Sequence, residues 1–281
     1  MSAATQHSKP RAGVLTRTWR KCRAMFNAWF AHMTAYRAEL VIWMLVGALP
    51  LIMMAVWIGK AQANGGSLQG FKAETFAAYF LATWLAQQFT VAWVSVELDY
   101  QIRLGNFSIK LLRPLDPFWE FFMQHFSERF VRGPIVIGFV SLGLFFVPGT
   151  VLTPDIWHLL AFVLAIQIAF FVRFLIEYCI GLLCFWFESV SSIGEFYWIL
   201  AVMLGGGFAP LEFYPGWLRT AIDWTPFPWI VYYPVKVLTG TIPWPDVARV
   251  IGIQLLWVLV FVVLWRILWR AGLKKYGAVG A

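Results

Sequence analysis

Long uninterrupted runs of apolar residues alternate along this chain with short charged or Gly- and Pro-rich stretches. Each run approaches the roughly 20 residues with which an α-helix crosses about 30 Å of hydrocarbon. Continuous runs indicate membrane helices, because the strands of a membrane β-barrel alternate apolar and polar positions. The pattern predicts six transmembrane helices, at about residues 39–59, 75–97, 133–153, 156–187, 194–211 and 247–269.

A helical periodicity precedes the first predicted span. Large apolar side chains recur there at spacings of three and four residues, with basic side chains between them, so they line one face of a helix. We expect a flexible tail at residues 1–12 and an amphipathic helix at 13–37 that lies in the headgroup region of the membrane. The alternative is that the stripe packs on another subunit. The stripe consists of Leu15, Trp19, Cys22, Phe26, Trp29, Met33 and Tyr36.

The composition agrees with a membrane protein. Of the 281 residues, 60% are hydrophobic and 13% are charged, whereas soluble domains are about half apolar and about a quarter charged. We therefore expect an all-α integral membrane protein in which residues 38–281 form a single domain.

The positions of Lys and Arg predict which loops face the cytoplasm, because cytoplasmic flanks of membrane helices carry an excess of these residues. Sixteen of the 22 lie before the first apolar run, between the second and third, or after the last, which ends at Trp265. Both termini are therefore predicted to be cytoplasmic. The formal net charge of +8 then reflects topology and attraction to anionic lipids, and we expect no nucleic-acid partner.

A charged stretch with Gly and Pro, QIRLGNFSIKLLRPLDPF, separates the second and third predicted spans. Gly105 and Asn106 interrupt it, and Asp116 followed by Pro117 is typical of a helix N-cap and first helical residue. Apolar and basic side chains are mixed along this stretch. Such a surface favours docking on a protein rather than on lipid.

One apolar run contains two opposite charges. Arg173 and Glu177 are four residues apart and so share a helix face. An unpaired charge at the bilayer centre costs about 2.5 to 3.5 kcal/mol even on a lenient scale, so we expect an intramembrane ion pair with each other or with a neighbouring helix. The structural interpretation is a lock between helices, or a charge near the cytoplasmic half of the span, where water reaches. The functional alternative is a proton relay, which needs further titratable groups that no other predicted span supplies. Gln87 and Gln88 are expected to hydrogen-bond across helices.

The chain changes character after the fifth predicted span. Residues 205–246 carry seven of the 14 prolines together with many aromatic residues, a composition unlike that of disordered segments. Gly ends or bends a helix and Pro prevents its continuation. We expect a re-entrant helical segment at 205–245 on the outer side, with a long interfacial loop as the alternative. The positions that carry this prediction are Gly205, Gly206, Gly207, Pro210, Pro215 and Pro226.

Catalytic and nucleotide-binding motifs are absent from the sequence. No G-x-x-x-x-G-K-[ST] motif is present to hold nucleotide phosphates, and the four histidines are scattered without a Cys/His cluster. We expect no catalytic residue, no metal site and no cofactor on this chain, and therefore a conduit or scaffold that a partner drives.

Four segments, by their order and the sizes of the loops between them, carry a resemblance to a known family. They are ELDYQIRLGNFSIKLLRPLDPFW, RFLIEYCIGLLCFWFE, GGGFAPLEFYPGWLRTAIDWTPFPWIVYYPVKVLTG and GLKKYGAVGA. They resemble the permease subunits of ABC-2 family ABC transporters, in the branch with a separately encoded ATPase, over roughly residues 20–281.

The resemblance implies a cytoplasmic coupling loop at residues 97–131 that touches the ATPase. It also implies two ATPase subunits that bind ATP and Mg²⁺, and a second permease subunit, identical or paralogous, that completes the pathway. The location implied is the cell (plasma or inner) membrane, and the implied activity is export of a hydrophobic or amphiphilic substrate. The coupling residues carried over are Asp99, Arg103, Gly105, Leu112, Arg113, Pro114 and Asp116.

Two other functions stay open at the level of sequence. A membrane-embedded enzyme of lipid metabolism would need a constellation of polar residues at one depth, and none can be assembled from the sequence. An ion-coupled carrier would use Arg173 and Glu177, and internal inverted repeats would support it; none is apparent.

Overall fold

The computed structural model of the chain describes residues 14–276 and is almost entirely helical. The helices are α1 (Val14–Ala35), α2 (Arg37–Val46), α3 (Leu49–Ala63), α4 (Ala73–Thr90), α5 (Val94–Arg103), α6 (Phe107–Leu111), α7 (Pro117–Phe146), α8 (Ile156–Leu182), α9 (Ser191–Leu204), α10 (Gly216–Asp223), α11 (Phe227–Ile230), α12 (Tyr232–Leu238) and α13 (Trp244–Tyr276). An antiparallel hairpin of β1 (Ser67–Leu68) and β2 (Phe71–Lys72) joins α3 to α4, and 3-10 turns lie at Leu183–Phe185 and Leu211–Phe213. The tail expected at residues 1–12 and the final GAVGA lie outside the described residues.

Four of the described helical stretches are long and apolar enough to cross a membrane, in accord with the predicted all-α membrane fold. The second and fifth predicted spans correspond to shorter helices, α4 with 18 residues and α9 with 14. At 1.5 Å per residue, α9 is about 21 Å long, less than the ~30 Å of a hydrocarbon core. The total of six spans therefore stays a prediction. The four stretches are Arg37–Ala63, Pro117–Phe146, Ile156–Phe185 and Trp244–Tyr276.

The run predicted as one span at 75–97 is two helices, α4 and α5. Thr90 at the end of α4 donates its hydroxyl to the Ala86 carbonyl oxygen at 2.9 Å, a bond of the kind that bends helices. The break lets α5 pack directly on α8. At their contact a Cβ on Gly181 would lie 2.7 Å from the Leu98 side chain, so only Gly fits there.

The helix α7 begins well before the span predicted for it. Asp116 is its N-cap, with Oδ1 accepting a hydrogen bond from the Phe118 N–H at 2.9 Å, and Pro117 is its first residue. This confirms the predicted helix start. From there α7 continues through Pro134 to Phe146. Residues 117–131, which were assigned to the coupling loop, are therefore the first half of a long helix that carries charged residues into the bundle.

Two hydrophobic clusters hold the helices together. The larger surrounds α4, α7, α8, α11 and α12. The smaller lies where α5 ends, α7 begins and α13 ends, and we call this region the α6 end. At its centre the rings of Phe118 and Trp265 stack with centroids 4.0 Å apart. The end that holds the β-hairpin and α10 to α12 is called the opposite end.

The amphipathic helix expected at 13–37 is α1, Val14–Ala35. Its apolar stripe contacts α7 of the same chain: Phe26 lies edge-on to Phe130, with ring centroids 5.4 Å apart, and also touches Phe126. Phe26 of the stripe therefore packs within the chain, while Trp19 and Tyr36 are exposed, and packing of the stripe on another subunit stays an alternative. Its position in the headgroup region stays a prediction.

The Pro-rich segment is helical, as expected, and folds back onto the bundle. After α9 ends, Gly206 adopts φ +85°, which favours Gly, and its carbonyl oxygen accepts a hydrogen bond from Tyr79 Oη at 2.8 Å. Pro210 precedes the second 3-10 turn, while Pro215 and Pro226 precede α10 and α11. The helices α11 and α12 then pack on α4, α8 and α13. That the segment re-enters the membrane stays a prediction.

Candidate functional site

The turn from α5 to α7 is a small, rigid protrusion. It contains Gly105 with φ +73°, a left-handed backbone that suits Gly, and then the short helix α6. Phe107 at the start of α6 is fully buried and contacts the rings of Phe185, Trp269 and Tyr276. Because these partners lie after α8 and on α13, α6 packs against the ends of both of those helices.

The outer face of this protrusion is apolar and basic, and we call it the α6 surface. Leu112 is 86% exposed. Exposed aliphatic side chains grouped beside bases are a feature of protein interaction sites. The α6 surface consists of Tyr100, Leu104, Ile109 and Leu112, together with Arg103 and Arg113.

Ion pairs orient the bases of the α6 surface. Arg103 Nη2 lies 2.8 Å from Asp99 Oδ2. Glu120 on α7 forms ion pairs with two bases: Lys110 Nζ lies 2.6 Å from its Oε1, and Arg113 Nη1 lies 3.3 Å from its Oε2. The two arginine side chains are 52% and 55% exposed, whereas the carboxylates of Asp99 and Glu120 are 4% and 16% exposed. The largely buried carboxylates therefore hold the two guanidinium groups in place.

The coupling residues predicted from the sequence fall into two groups. Asp99 is buried, and its Oδ1 accepts hydrogen bonds from the Val190 N–H at 3.1 Å and from the Cys184 thiol at 3.0 Å. Asp99 therefore joins α5 to the turn after α8. Asp116 also has a structural role, as the N-cap of α7. The remaining predicted residues are exposed on the protrusion, and their contact with an ATPase stays a prediction. They are Arg103, Gly105, Leu112, Arg113 and Pro114.

A layer of polar side chains lies between α4, α5, α7 and α8, and the sequence reasoning missed it. Arg132 and Glu128 form a buried ion pair, and Gln124 Nε2 donates to Glu97 Oε1 at 2.6 Å. Arg129 donates to Gln167 Oε1 at 2.8 Å. The layer comprises Gln88, Ser95, Glu97, Gln124, His125, Glu128, Arg129, Arg132, Arg173 and Glu177.

The expectation that no other span supplies titratable groups was therefore wrong. The physical reason is the early start of α7, because charged residues that were assigned to a loop lie on this helix and pack inside the bundle. The sequence did contain a signal, because Gln124, Glu128 and Arg132 follow one another at intervals of four residues and so share one helix face. Gln88 joins them across helices as predicted, since its Oε1 accepts from Arg132 at 3.4 Å.

Arg173 and Glu177 share a face of α8, but among the described residues they do not form a direct ion pair. Glu177 instead accepts a hydrogen bond from the Ser95 hydroxyl of α5. Arg173 is only 6% exposed and has no hydrogen-bond partner within residues 14–276, and its Nε is fully enclosed. The expected lock between helices is thus made by Glu177 alone.

Arg173 faces a cleft between α2, α4, α9 and α11 with a cavity volume of about 60 Å³. Arg132 reaches the same space from α7, and the Tyr197 hydroxyl of α9 is buried without a partner in the described part of the chain. Trp43 and Trp198 line the cleft and are partly exposed. We call this space the arginine cleft.

A comparison with protein-family models gives one match. The model described as ABC-2 family transporter protein matches residues 44–280, which include α3 to α13 and leave out α1 and most of α2. No curated protein matches the chain.

Proposed function

The chain belongs to the ABC-2 family of transporter proteins, and from this membership we propose that it is the permease subunit of an ABC transporter whose ATPase is a separate chain. A second permease, identical or paralogous, would complete the substrate pathway. Two ATPase subunits would bind ATP and Mg²⁺ and drive export of a hydrophobic or amphiphilic substrate.

The observation that carries this proposal is the anchoring of the α6 surface. Exposed Leu112 and Ile109 provide an apolar contact for a partner. Behind them, buried Phe107 joins α6 to α13, and the Ser108 hydroxyl lies 2.9 Å from Tyr276 Oη. A displacement of the α6 surface by the ATPase would therefore move α5, α7 and α13 together, as a coupling element requires.

The charges at the α6 end support a cytoplasmic orientation for this surface. The last turns of α13 carry Arg266, Arg270, Lys274 and Lys275, and α1 contributes further bases. The opposite end carries few, so the excess of positive charge falls where the positive-inside rule places the cytoplasm.

The exposed face formed by α2, α3 and α9 supports a pathway between two permeases. It is mostly apolar, with exposed Trp43, Ile52 and Phe196. The arginine cleft opens on the same face. A buried guanidinium beside lipid is costly, and a second permease covering this face would enclose the cleft between two subunits.

Affinity purification of the tagged full-length chain from its native membrane tests the proposal. We expect an ATPase and a permease to be recovered with it, and ATP hydrolysis by the purified complex. Recovery of the chain without any ATPase, under conditions that preserve other membrane complexes, would contradict the proposal.

The buried polar layer favours one second candidate, an ion-coupled carrier that uses Arg173 and Glu177. Glu128 and Glu97 supply the additional titratable groups that a proton relay needs. The two functions differ in their energy source. Transport by the reconstituted complex that follows a proton gradient and ignores ATP would favour the carrier.

A further inference from the structure

The arginine cleft is lined by Arg132 and Arg173 and, among the described residues, by no carboxylate. Arg132 has Glu128 as its ion-pair partner. Glu177 on the same helix as Arg173 is bonded to Ser95 and offsets part of the Arg173 charge without direct contact. The Arg173 guanidinium is therefore buried without a hydrogen-bond acceptor in the part of the chain that the structure describes, and burying such a donor is costly unless an acceptor binds it.

The donors that open into the cleft are the terminal nitrogens of the Arg173 guanidinium. The Nε of Arg132 and the hydroxyl of Tyr197 also have no partner in the part of the chain that the structure describes, but both atoms are enclosed by protein. All three residues line the cleft. Guanidinium groups bind the paired oxygens of carboxylates and phosphates with two parallel hydrogen bonds, so the donors match an oxyanion.

The size of the cleft limits what can enter it. A volume of about 60 Å³ holds a few non-hydrogen atoms, enough for a carboxylate or phosphate group and too small for a complete amphiphile. The rest of the ligand must lie outside. At the apolar face Trp43 and Trp198 are 46% and 39% exposed, and they offer aromatic surface to an apolar chain.

Arg173 lies below the end of α8 and not at it. It is about 14 Å from the α6 end at 1.5 Å per residue, about a third of the way along a helix that is long and apolar enough to cross a membrane. An anionic group bound by Arg173 would therefore be held within the length of this helix.

We propose that the arginine cleft binds the anionic headgroup of an amphiphile, with Arg173 and Arg132 holding its oxygens and the apolar chain lying along Trp43 and Trp198. As a statement about the transported substrate this inference rests on the proposed function. As a statement about binding it is independent of any ATPase.

The test uses the purified full-length chain with its native partners in phosphatidylcholine nanodiscs, without ATP. A fluorescent long-chain fatty acid is the probe, and its methyl ester, which lacks the charge, is the matched ligand. We expect Arg173→Gln to weaken binding of the acid about tenfold or more and to leave binding of the ester unchanged. Arg173→Lys should retain part of the affinity.

Arg129→Gln is the matched control, because Arg129 is also a buried arginine of the polar layer but has Gln167 as its partner and does not line the cleft. It should bind the acid as the unaltered protein does. If Arg173→Gln does not fold, the Lys variant carries the test.

Three results would overturn the inference. The acid and the ester could bind equally well, or Arg129→Gln could lose as much affinity as Arg173→Gln. Inorganic phosphate could also displace the acid at a similar concentration, which would show that the cleft binds a free anion and does not require an amphiphile. Absence of binding in a complex that does contain an ATPase would defeat this inference alone. Absence of the ATPase would defeat the proposed function and leave the binding assay intact.

Discussion

Ser95 of α5 donates a hydrogen bond to the Glu177 carboxylate of α8, and this contact joins two helices whose sequences give no sign of pairing. Both residues are buried. Because the carboxylate has no ion-pair partner among the described residues, the hydroxyl is its direct compensation, and the close packing of Gly181 on Leu98 keeps the two helices near enough for it.

Replacing Ser95 with Ala should destabilise the protein. A hydrogen bond to a charged group contributes about 1.5 to 3 kcal/mol, and its loss removes the hydroxyl donor from the buried Glu177 carboxylate. Thermal unfolding in detergent measures the change. Glu177→Gln, which removes the charge together with its desolvation cost, should lose less. Ser189→Ala is the control, since Ser189 is exposed and bonds only locally; an equal loss in that variant would argue against a special role for Ser95.

The N-cap of α8 should make stability depend on pH. The pKa of Asp155 is lowered, chiefly by a hydrogen bond from the His158 backbone N–H and then by the His158 side chain. A lowered folded-state pKa means that the stabilisation is complete above the unfolded value of 3.8 and is lost as the pH falls through the lower folded value. Thermal unfolding at neutral and acidic pH should show this loss.

Two variants separate the charge of Asp155 from its capping role. Asp155→Asn keeps an acceptor for the cap and should reduce the dependence on pH. Asp155→Ala should lower the melting temperature at neutral pH but have little effect below the folded-state pKa. A melting temperature of the Ala variant that is equally reduced at both pH values would contradict the linkage.

The parts of the fold that depend on local sequence could be predicted. Apolar runs marked the long helices, and Asp116 with Pro117 marked the start of α7, because capping involves only neighbouring residues. The Gly and Pro positions after α9 likewise marked where helices end. These signals depend on the composition and spacing of a few neighbouring residues, so they can be recognised without knowing the tertiary structure.

The parts that depend on which helices meet could not be predicted. Arg129 and Arg132 were assigned to a loop, because no signal in the neighbouring sequence shows that α7 enters the bundle before its apolar run begins. The partner of Glu177 is Ser95, which is 82 residues away in sequence. The arginine cleft assembles residues from α2, α4, α7, α8, α9 and α11, and only their packing brings them together.

Leu112→Glu should weaken binding of the ATPase. Leu112 is largely exposed, so the substitution costs little in the isolated chain, but a carboxylate in an apolar contact must be desolvated without a partner. We expect about tenfold less ATPase recovered with the tagged chain. Val151→Glu is the matched control, because Val151 is 66% exposed at the opposite end. Equal recovery of the ATPase with both variants would show that the α6 surface is not its docking site.

Arg113→Glu should reduce transport driven by ATP while leaving membrane insertion intact. Arg113 is exposed, and its largely buried partner Glu120 keeps Lys110 as a second ion-pair partner, so the charge reversal repels Glu120 without leaving that carboxylate unpaired. Arg103→Glu is a less specific test of coupling, because it places a second carboxylate beside the buried carboxylate of Asp99. Arg219→Glu, an exposed base at the opposite end, is the control. The measurement is transport and ATP hydrolysis by the reconstituted complex. If Arg113→Glu behaves like Arg219→Glu in both, the basic part of the α6 surface has no role in coupling, and the contact with the ATPase would have to rest on its apolar residues alone.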